Sequence, residues 1–425
     1  MSRTLVLPFA FFLLATMTGC GGSSRSSSST TTSAGSGSTG TSGSAPPSMP
    51  GSGGPSGTGS GGSSGGTSGN SQGAVANAYV GTGNSSTNGI YGFAIAPDGT
   101  ATSIPGSPSS GPGSYVVTNS AYVLGTDGQN IAGYKRTGNG SLQQSSFTLA
   151  VNFNQCPTCA GGTEPWTIQA MSLDHSGQTL YALENAGADD LYYFFFNVSN
   201  GTPTAIGKIG PSASYSSPLV FSPDNQYAYG FGCFHLGWDI TGFRRNGDAS
   251  LTPITTSNDA PMYAGGNQFY CPVGQAVSQM GYMAVADTAV NTNTVGLGVY
   301  KINADGSLTL LQNSTLTTAL TMGGNGCCGE VAMSFDPSGQ MLALAGQNGI
   351  QMYQLMPGGT LTSVGGLQQP GPNYLAVQWD SVNHVFAIGS SGLFVFDNSQ
   401  GVLTLASGAP HAAGVAGSLA VLPTH

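Results

Sequence analysis

Two carboxylates have the surroundings expected of acid–base groups. Glu164 lies in Glu164-Pro165-Trp166 and Glu330 in Glu330-Val331-Ala332, each just ahead of an apolar, β-prone run. A carboxylate pair at one mouth could hold a calcium ion or act as acid and base on a small cyclic substrate. The plainer alternative is a pair of solvated or hydrogen-bonded rim carboxylates. His235, Trp238 and Asp239 fall within one short stretch and form the best aromatic-polar patch for a sugar or peptide, with packing of Trp238 over its own structural unit as the alternative. Cys156, Cys159, Cys233, Cys271, Cys327 and Cys328 form an even set once Cys20 is set aside. Chain order suggests Cys156 with Cys159, Cys233 with Cys271, and Cys327 with Cys328. A vicinal disulfide is strained, so a cross-loop partner for Cys327 or Cys328 stays open. Cys156-Pro157-Thr158-Cys159 has redox spacing, but no helix pattern follows to lower a thiol pKa and no His follows for haem attachment. A zinc site would need reduced thiols.

The compartment follows from the N-terminus. Met1-Ser2-Arg3-Thr4 carries one positive side chain, an apolar run extends from Leu5 to Met17, and Thr18-Gly19-Cys20 comes next. That order reads as a secretory signal over residues 1–19, and the run is too short for an ordinary membrane-spanning helix. The small residues before Cys20 resemble a bacterial lipobox, which implies acylation of Cys20 and a membrane partner through that lipid. Gly21 in place of Asp implies outer-membrane sorting. Residues 20–72 are almost wholly Ser, Gly, Thr and Pro after the cysteine and offer nothing to bury, so they read as a flexible tether. A Gly-rich coil of that length reaches about 40 Å. An exported chain sits where disulfides persist, and stapling of long loops is the expected role of the six remaining cysteines. The G-x-S-x-G match at Gly61-Gly62-Ser63-Ser64-Gly65 lies inside the tether, without the strand and helix that a nucleophile elbow needs.

Charge narrows the partners. Beyond the tether, Lys135, Arg136, Lys208, Arg244, Arg245 and Lys301 are the basic residues, against all 17 acidic ones. Phosphate backbones need clustered Lys and Arg, so no nucleic acid is expected. Charged residues make up only 6% of the chain, far below the roughly 25% of ordinary domains, so the surface must be Asn, Ser, Thr, Gln and Gly.

The elements that position these groups are repeats. A turn followed by a short strand recurs seven times, as in Asp98-Gly99-Thr100, Asn139-Gly140-Ser141, Asn200-Gly201-Thr202, Asp305-Gly306-Ser307 and Gln400-Gly401-Val402. Asn-Gly and Asp-Gly tolerate the positive φ of hairpin turns. An apolar run recurs seven times as well, as in Ala78-Tyr79-Val80, Ala121-Tyr122-Val123, Leu180-Tyr181-Ala182 and Val385-Phe386-Ala387. Each unit therefore holds four strands. Seven such units predict an all-β, seven-bladed propeller over residues 74–425, of four-stranded antiparallel blades. The first unit begins at its second strand near Ala78, so Gly417-Ser418-Leu419-Ala420-Val421-Leu422 is expected to supply the missing strand and close the ring.

The Ala-Tyr-Val strands, the Pro97-Asp98-Gly99-Thr100 turn and Gly106-Ser107-Pro108 resemble the YVTN-type, lactonase-like seven-bladed propellers of secreted bacterial proteins. The resemblance covers residues 74–425. It specifies fold far better than function, because this architecture hosts lactonases, cycloisomerases and surface-layer modules alike. In a propeller, the turns between the first and second and between the third and fourth strands share one face. The remaining loops and crossovers share the other. The irregular insertions, Ser145 to Pro165, Gly232 to Ile240, Ser257 to Gly274, Asp287 to Val295 and Ser314 to Gly329, all belong to that second face, as do the six cysteines, and Glu164 and Glu330 precede innermost strands there. His175 and His384 belong to the short-turn face, so no Ser/His/Asp triad assembles. The function expected from these features is a monomeric, non-catalytic binding or scaffolding module at the cell envelope, with an envelope protein, glycan or small molecule as partner. A lactone-opening hydrolase of a small sugar or aliphatic lactone is the alternative. No cofactor is expected, apart from a calcium ion at the carboxylates.

Overall fold

The structure, a computed structural model, describes residues 73–82, 89–150, 167–185, 191–210, 217–234, 237–254, 258–259, 270–289, 294–321, 331–414 and 416–423. Its strands form seven antiparallel sheets, each a path of four strands in chain order from one edge to the other, with a short fifth strand added to blades 1 and 4. These are the blades, with strands lettered A to D from the ring axis outwards. Blade 1 is the exception in chain order. Its strands B, C and D are Ala76–Thr82, Gly89–Ile95 and Ala101–Ser103, while strand A is the C-terminal segment Ala416–Pro423, antiparallel to strand B from Ala76 opposite Pro423 to Thr82 opposite Ala416. The expected closure is therefore present. Blades 2 to 7 occupy residues 115–150, 167–209, 220–259, 270–321, 332–368 and 374–405.

Both faces of every blade are covered by a neighbour, and this explains the sequence of strand B. In blade 1 all of Ala76–Thr82 is buried, as is all of His384–Gly389 in blade 7. Strands buried on both faces read as continuous apolar runs and not as alternation. The buried side chains form seven clusters, each between two successive blades, and the seventh lies across the seam where Phe386, Ile388 and Val395 of blade 7 meet Ala78, Val80 and Leu419 of blade 1.

The two repeated elements of the sequence turn out to be halves of one joint. A strand-B tyrosine donates its hydroxyl to a carbonyl in the C–D turn of the next blade. Tyr79 bonds Gly140 O at 2.8 Å, Tyr181 bonds Ala249 O at 2.8 Å and Tyr229 bonds Gly306 O at 2.9 Å. The turn residue must be glycine where the ring packs closest: Gly306 has φ +82°, and a Cβ there would lie 2.3 Å from the Tyr227 ring. Glutamines add a second joint nearer the axis. Gln378 of blade 7 donates to Leu419 O and accepts from Val421 N of blade 1, both at 2.8 Å. Gln275 of blade 5 donates to Pro218 O of blade 4 at 2.8 Å.

Strands reach further into the insertions than expected. Within Gly232 to Ile240, Gly232–Phe234 pairs antiparallel with Gly237–Asp239, Cys233 opposite Trp238 and Phe234 opposite Gly237. Strand D of blade 5 runs from Leu308 to Thr321, taking in much of the segment expected as an irregular loop. Asn258–Asp259 adds a short fifth strand to blade 4. Consecutive ladder hydrogen bonds satisfy the backbone of such extensions as a loop could not.

Candidate functional site

The ring has a turn side, formed by the A–B and C–D turns, and a loop side, formed by the B–C connections and the crossovers between blades. The channel wall is built by the A strands: Ala416–Pro423, Tyr115–Thr118, Thr167–Leu173, Val220–Phe221, Tyr270–Val277, Ala332–Phe335 and Tyr374–Trp379. These seven strands contain no Asp, Glu, His, Lys or Arg. Gln169 and Leu375 are their exposed members among the described side chains. Charge for any chemistry must therefore come from strand ends and connections.

The loop-side end of strand B supplies some of it. In blades 1, 3, 5 and 7 the A–B ladder slips by one residue there, placing Thr82, Glu184, Asp287 and Gly389 at equivalent positions. Such bulges re-aim side chains and collect next to functional sites. Glu184 and Asp287 are fully buried. Neither carboxyl oxygen of Glu184 has a hydrogen-bond partner among the described residues, and desolvation pushes the group up to about 10 against the opposing pull of Lys208. The Lys208 ammonium lies 5.1 Å above the Tyr192 ring and 5.8 Å above that of Phe194. Glu184 is thus a neutral acid at physiological pH. The crossover from blade 7 to blade 1 adds His411, bridged to Leu393 and 6.0 Å from the Phe93 ring; its buried Nε2 has no partner among the described residues, and burial lowers its pKa.

The turn side holds ion pairs, some within a blade and one between blades. His384 Nδ1 meets Asp380 Oδ2 at 2.5 Å and its Nε2 lies 3.3 Å from Asp397 Oδ1. The hydrogen bond to Asp380 raises the imidazole pKa, with Asp397 and the Pro97 carbonyl of blade 1 adding to it. Arg245 of blade 4 pairs with the buried Asp174 of blade 3 at 2.6 Å. A cleft of about 280 Å³ opens between the A strands of blades 5, 6 and 7, lined by Met333, Phe335, Val377 and Trp379. Its polar members are already engaged: Trp379 Nε1 donates to Ser334 O at 2.9 Å, and Asp336 accepts from Gln340 N and Met341 N at 2.8 Å. That leaves a structural joint and not a reaction site.

Of the residues expected to do chemistry, Glu164, Trp166, His235 and Glu330 lie outside the described residues, as do Cys20, Cys156, Cys159, Cys327 and Cys328. Trp238 and Asp239 are consecutive residues of strand C in blade 4, Asp239 opposite Gly232. Cys233 belongs to strand B of that blade and Cys271 to strand A of blade 5. Glu184, Asp287 and His411 escaped the sequence reading. The signal for the first two was a carboxylate closing the apolar run of strand B, where blades 6 and 7 have Gly346 and Gly389. Among the described residues no group of three or more His, Cys, Asp or Glu is placed to hold a metal ion.

Neither a protein-family model nor a curated protein matches the chain. Solved structures do. A candidate 6-phosphogluconolactonase from Bacteroides uniformis superposes with a TM-score of 0.60 at 16% identity, over 82% of this chain and 99% of its own. A second from Bacteroides fragilis gives 0.58 at 15% identity, over 82% and 98%. The periplasmic gluconolactonase of Pseudomonas aeruginosa gives 0.55 at 17% identity, over 82% and 99%. The likeness is one of fold. It nevertheless corrects the functional expectation: the three neighbours are lactonases or candidate lactonases, and they back the ring-opening alternative over a non-catalytic scaffold. The scaffold expectation rests on the tether, the uncharged polar surface and the lack of a convergent catalytic set in the sequence. In a propeller, such a set is assembled from different blades and leaves no local motif.

Proposed function

We propose that this protein hydrolyses lactones at the loop-side mouth of its ring, held at the cell envelope by a lipid on Cys20. The observation that carries the reading is the superposition over nearly the whole length of three propellers named for lactonase activity. The uncharged A strands support it further, because they leave the mouth as the place for acid–base groups. Glu164 and Glu330 precede the A strands of blades 3 and 6 in the chain and are the groups proposed for the work. One carboxylate takes a proton from water as it adds to the lactone carbonyl. The other, protonated, gives a proton to the ring oxygen as the acyl C–O bond breaks. The new carboxylic acid then ionises and releases one proton, which a pH-stat reads. A calcium ion, if held by these carboxylates, would supply polarisation of the lactone carbonyl. The small residues before Cys20 support its lipidation, and Gly21 in place of Asp supports placement at the outer membrane.

The test is hydrolysis of sugar and aliphatic lactones by the full chain, with and without calcium. Glu330→Gln and Glu164→Gln should each lower kcat by about 10²-fold or more, the range for lost acid–base catalysis, with an unchanged denaturation midpoint. Full activity in both variants would remove these residues from the mechanism. No hydrolysis by a cooperatively folded sample would refute the function.

A further inference from the structure

The seam that closes the ring is fastened differently from the junction between blades 4 and 5. There, Tyr227 and Tyr229 of strand B donate their hydroxyls to Ala304 O and Gly306 O in the C–D turn of blade 5, at 3.0 and 2.9 Å. Burial raises the Tyr229 pKa further above its ordinary 10, so that joint keeps its proton. At the seam the matching turn is Pro97-Asp98-Gly99 of blade 1, and the matching residues of strand B in blade 7 are His384 and Phe386. Phe386 has no hydroxyl to give. His384 takes over, its imidazole hydrogen-bonded to the Pro97 carbonyl across the seam. The turn is seated closely: a Cβ on Gly99 would lie 2.9 Å from Ala406 Cβ and 3.4 Å from Asp397 Oδ1. The seam thus rests on a donor of the one type that ordinarily titrates near neutral pH.

Among the described residues, the charged groups that act on the buried imidazole are Asp380 of the A–B turn, the half-exposed Asp397 of strand C, and Asp98 of the blade 1 turn. Asp380 Oδ1 is committed to Val382 N at 2.8 Å and His384 N at 2.9 Å, and its Oδ2 faces His384 Nδ1. A carboxylate only accepts, so Nδ1 keeps its proton and Nε2 is the nitrogen that titrates. Protonated, Nε2 donates towards the Pro97 carbonyl and Asp397, whose Oδ1 is 3.3 Å away. Deprotonated, it turns a lone pair on two oxygens, and the seam loses its strand-B donor. We infer that His384 is a pH-operated latch on the seam between the two ends of the chain, closed while the imidazole is charged and loosened when it is neutral. The hydrogen bond to Asp380, opposed by burial and helped by Asp397 and the Pro97 carbonyl, holds the imidazole pKa above its ordinary value. The latch is therefore closed below that value and lets go as pH climbs through the raised one. Only the outer part of the seam responds. The ladder between Ala76–Thr82 and Ala416–Pro423 and the joint made by Gln378 contain no titrating group and hold the inner part throughout.

The experiment is amide hydrogen exchange on the full chain across the neutral and mildly alkaline range, corrected for the intrinsic pH dependence of exchange. The reporter is the C–D turn of blade 1, where the Ala96, Gly99 and Ile104 amides donate to Thr100 O, Ala96 O and Gly92 O. The control is the C–D turn of blade 5, held by the tyrosines, where Asn303 and Gly306 donate to Ser307 O and Asn303 O. Protection of the reporter should fall by about tenfold or more once the imidazole is neutral, the scale of a lost hydrogen bond to a charged group, while the control stays level. In His384→Gln, whose side chain does not titrate, the reporter should show no such fall. Asp397→Asn removes a charge that favours the imidazolium and should move the midpoint of the fall to lower pH. Reporter protection that does not change with pH, a fall shared equally by the control, a fall that persists in His384→Gln, or an unmoved midpoint in Asp397→Asn would each overturn the inference.

Discussion

Replacing Glu184 by glutamine should stabilise the protein, and more so the higher the pH. The side chain is fully buried on strand B of blade 3 with both carboxyl oxygens unpartnered among the described residues, and burial pushes its pKa from 4.5 up to about 10. In the unfolded chain the same group ionises near its ordinary value. Between the two pKa values the folded state holds a proton that the unfolded state has released, so stability is greatest below pH 4.5 and falls as pH rises. The slope is about 1.4 kcal/mol per pH unit. From 4.5 to pH 7 the cost reaches about 3 kcal/mol, and at pH 8 about 5 kcal/mol. Glutamine has nearly the same shape and never ionises, so Glu184→Gln should gain nothing near pH 4.5 and about 3 kcal/mol at pH 7. For a domain of this size that corresponds to a rise in Tm of about 4 °C. Urea denaturation of both proteins at pH 5 and pH 8, followed by tryptophan fluorescence, measures the difference directly. A variant that is less stable by the same amount at both pH values would refute the reasoning, because it would mean that Glu184 is ionised and paired in the fold.

Two further outcomes test the ring. The pKa of His384 is raised chiefly by its hydrogen bond to Asp380, so its contribution is fully present below the ordinary histidine value and is lost as pH climbs through the higher folded value. His384→Gln should cost about 1–3 kcal/mol at pH 6, the scale of a lost buried hydrogen bond to a charged group, and progressively less above pH 7; a pH-independent loss in denaturation midpoint would argue for packing alone. Deleting residues 416–425 removes strand A of blade 1, the partner of all of Ala76–Thr82 and the acceptor and donor for Gln378. The deletion should cost on the order of 5 kcal/mol or more, from lost apolar burial and ladder bonds, and calorimetry showing an unchanged transition would refute the seam.

How much of this was legible in the chain depended on the range of the interaction. The seven-fold count came from local chemistry, because Asn-Gly and Asp-Gly turns and doubly buried strands leave marks within five or six neighbouring residues. The closing strand was legible by elimination, since a strand at each end of the repeat array lacked a partner. The insertions were overestimated, because polar residues in Gly237–Arg245 and Leu308–Thr321 are compatible with an extended ladder as well as with a loop. The catalytic expectation failed for a related reason: absence of a contiguous motif says little in a ring whose mouth is shared by seven blades.

What the sequence by itself determined was the repeat, the closure and the imbalance of charge, all properties of residue type and order. Only the tertiary structure decided which residues meet. Tyr79 and Gly140 are 61 positions apart, and Val421 and Gln378 are 43 apart, yet each pair forms a joint between blades. The same is true of the burial of Glu184, which the chain order alone does not show. Local pattern sets each strand's φ and ψ, but burial and field depend on the neighbouring blade, about fifty residues away in the chain, and only the closed ring brings it into place.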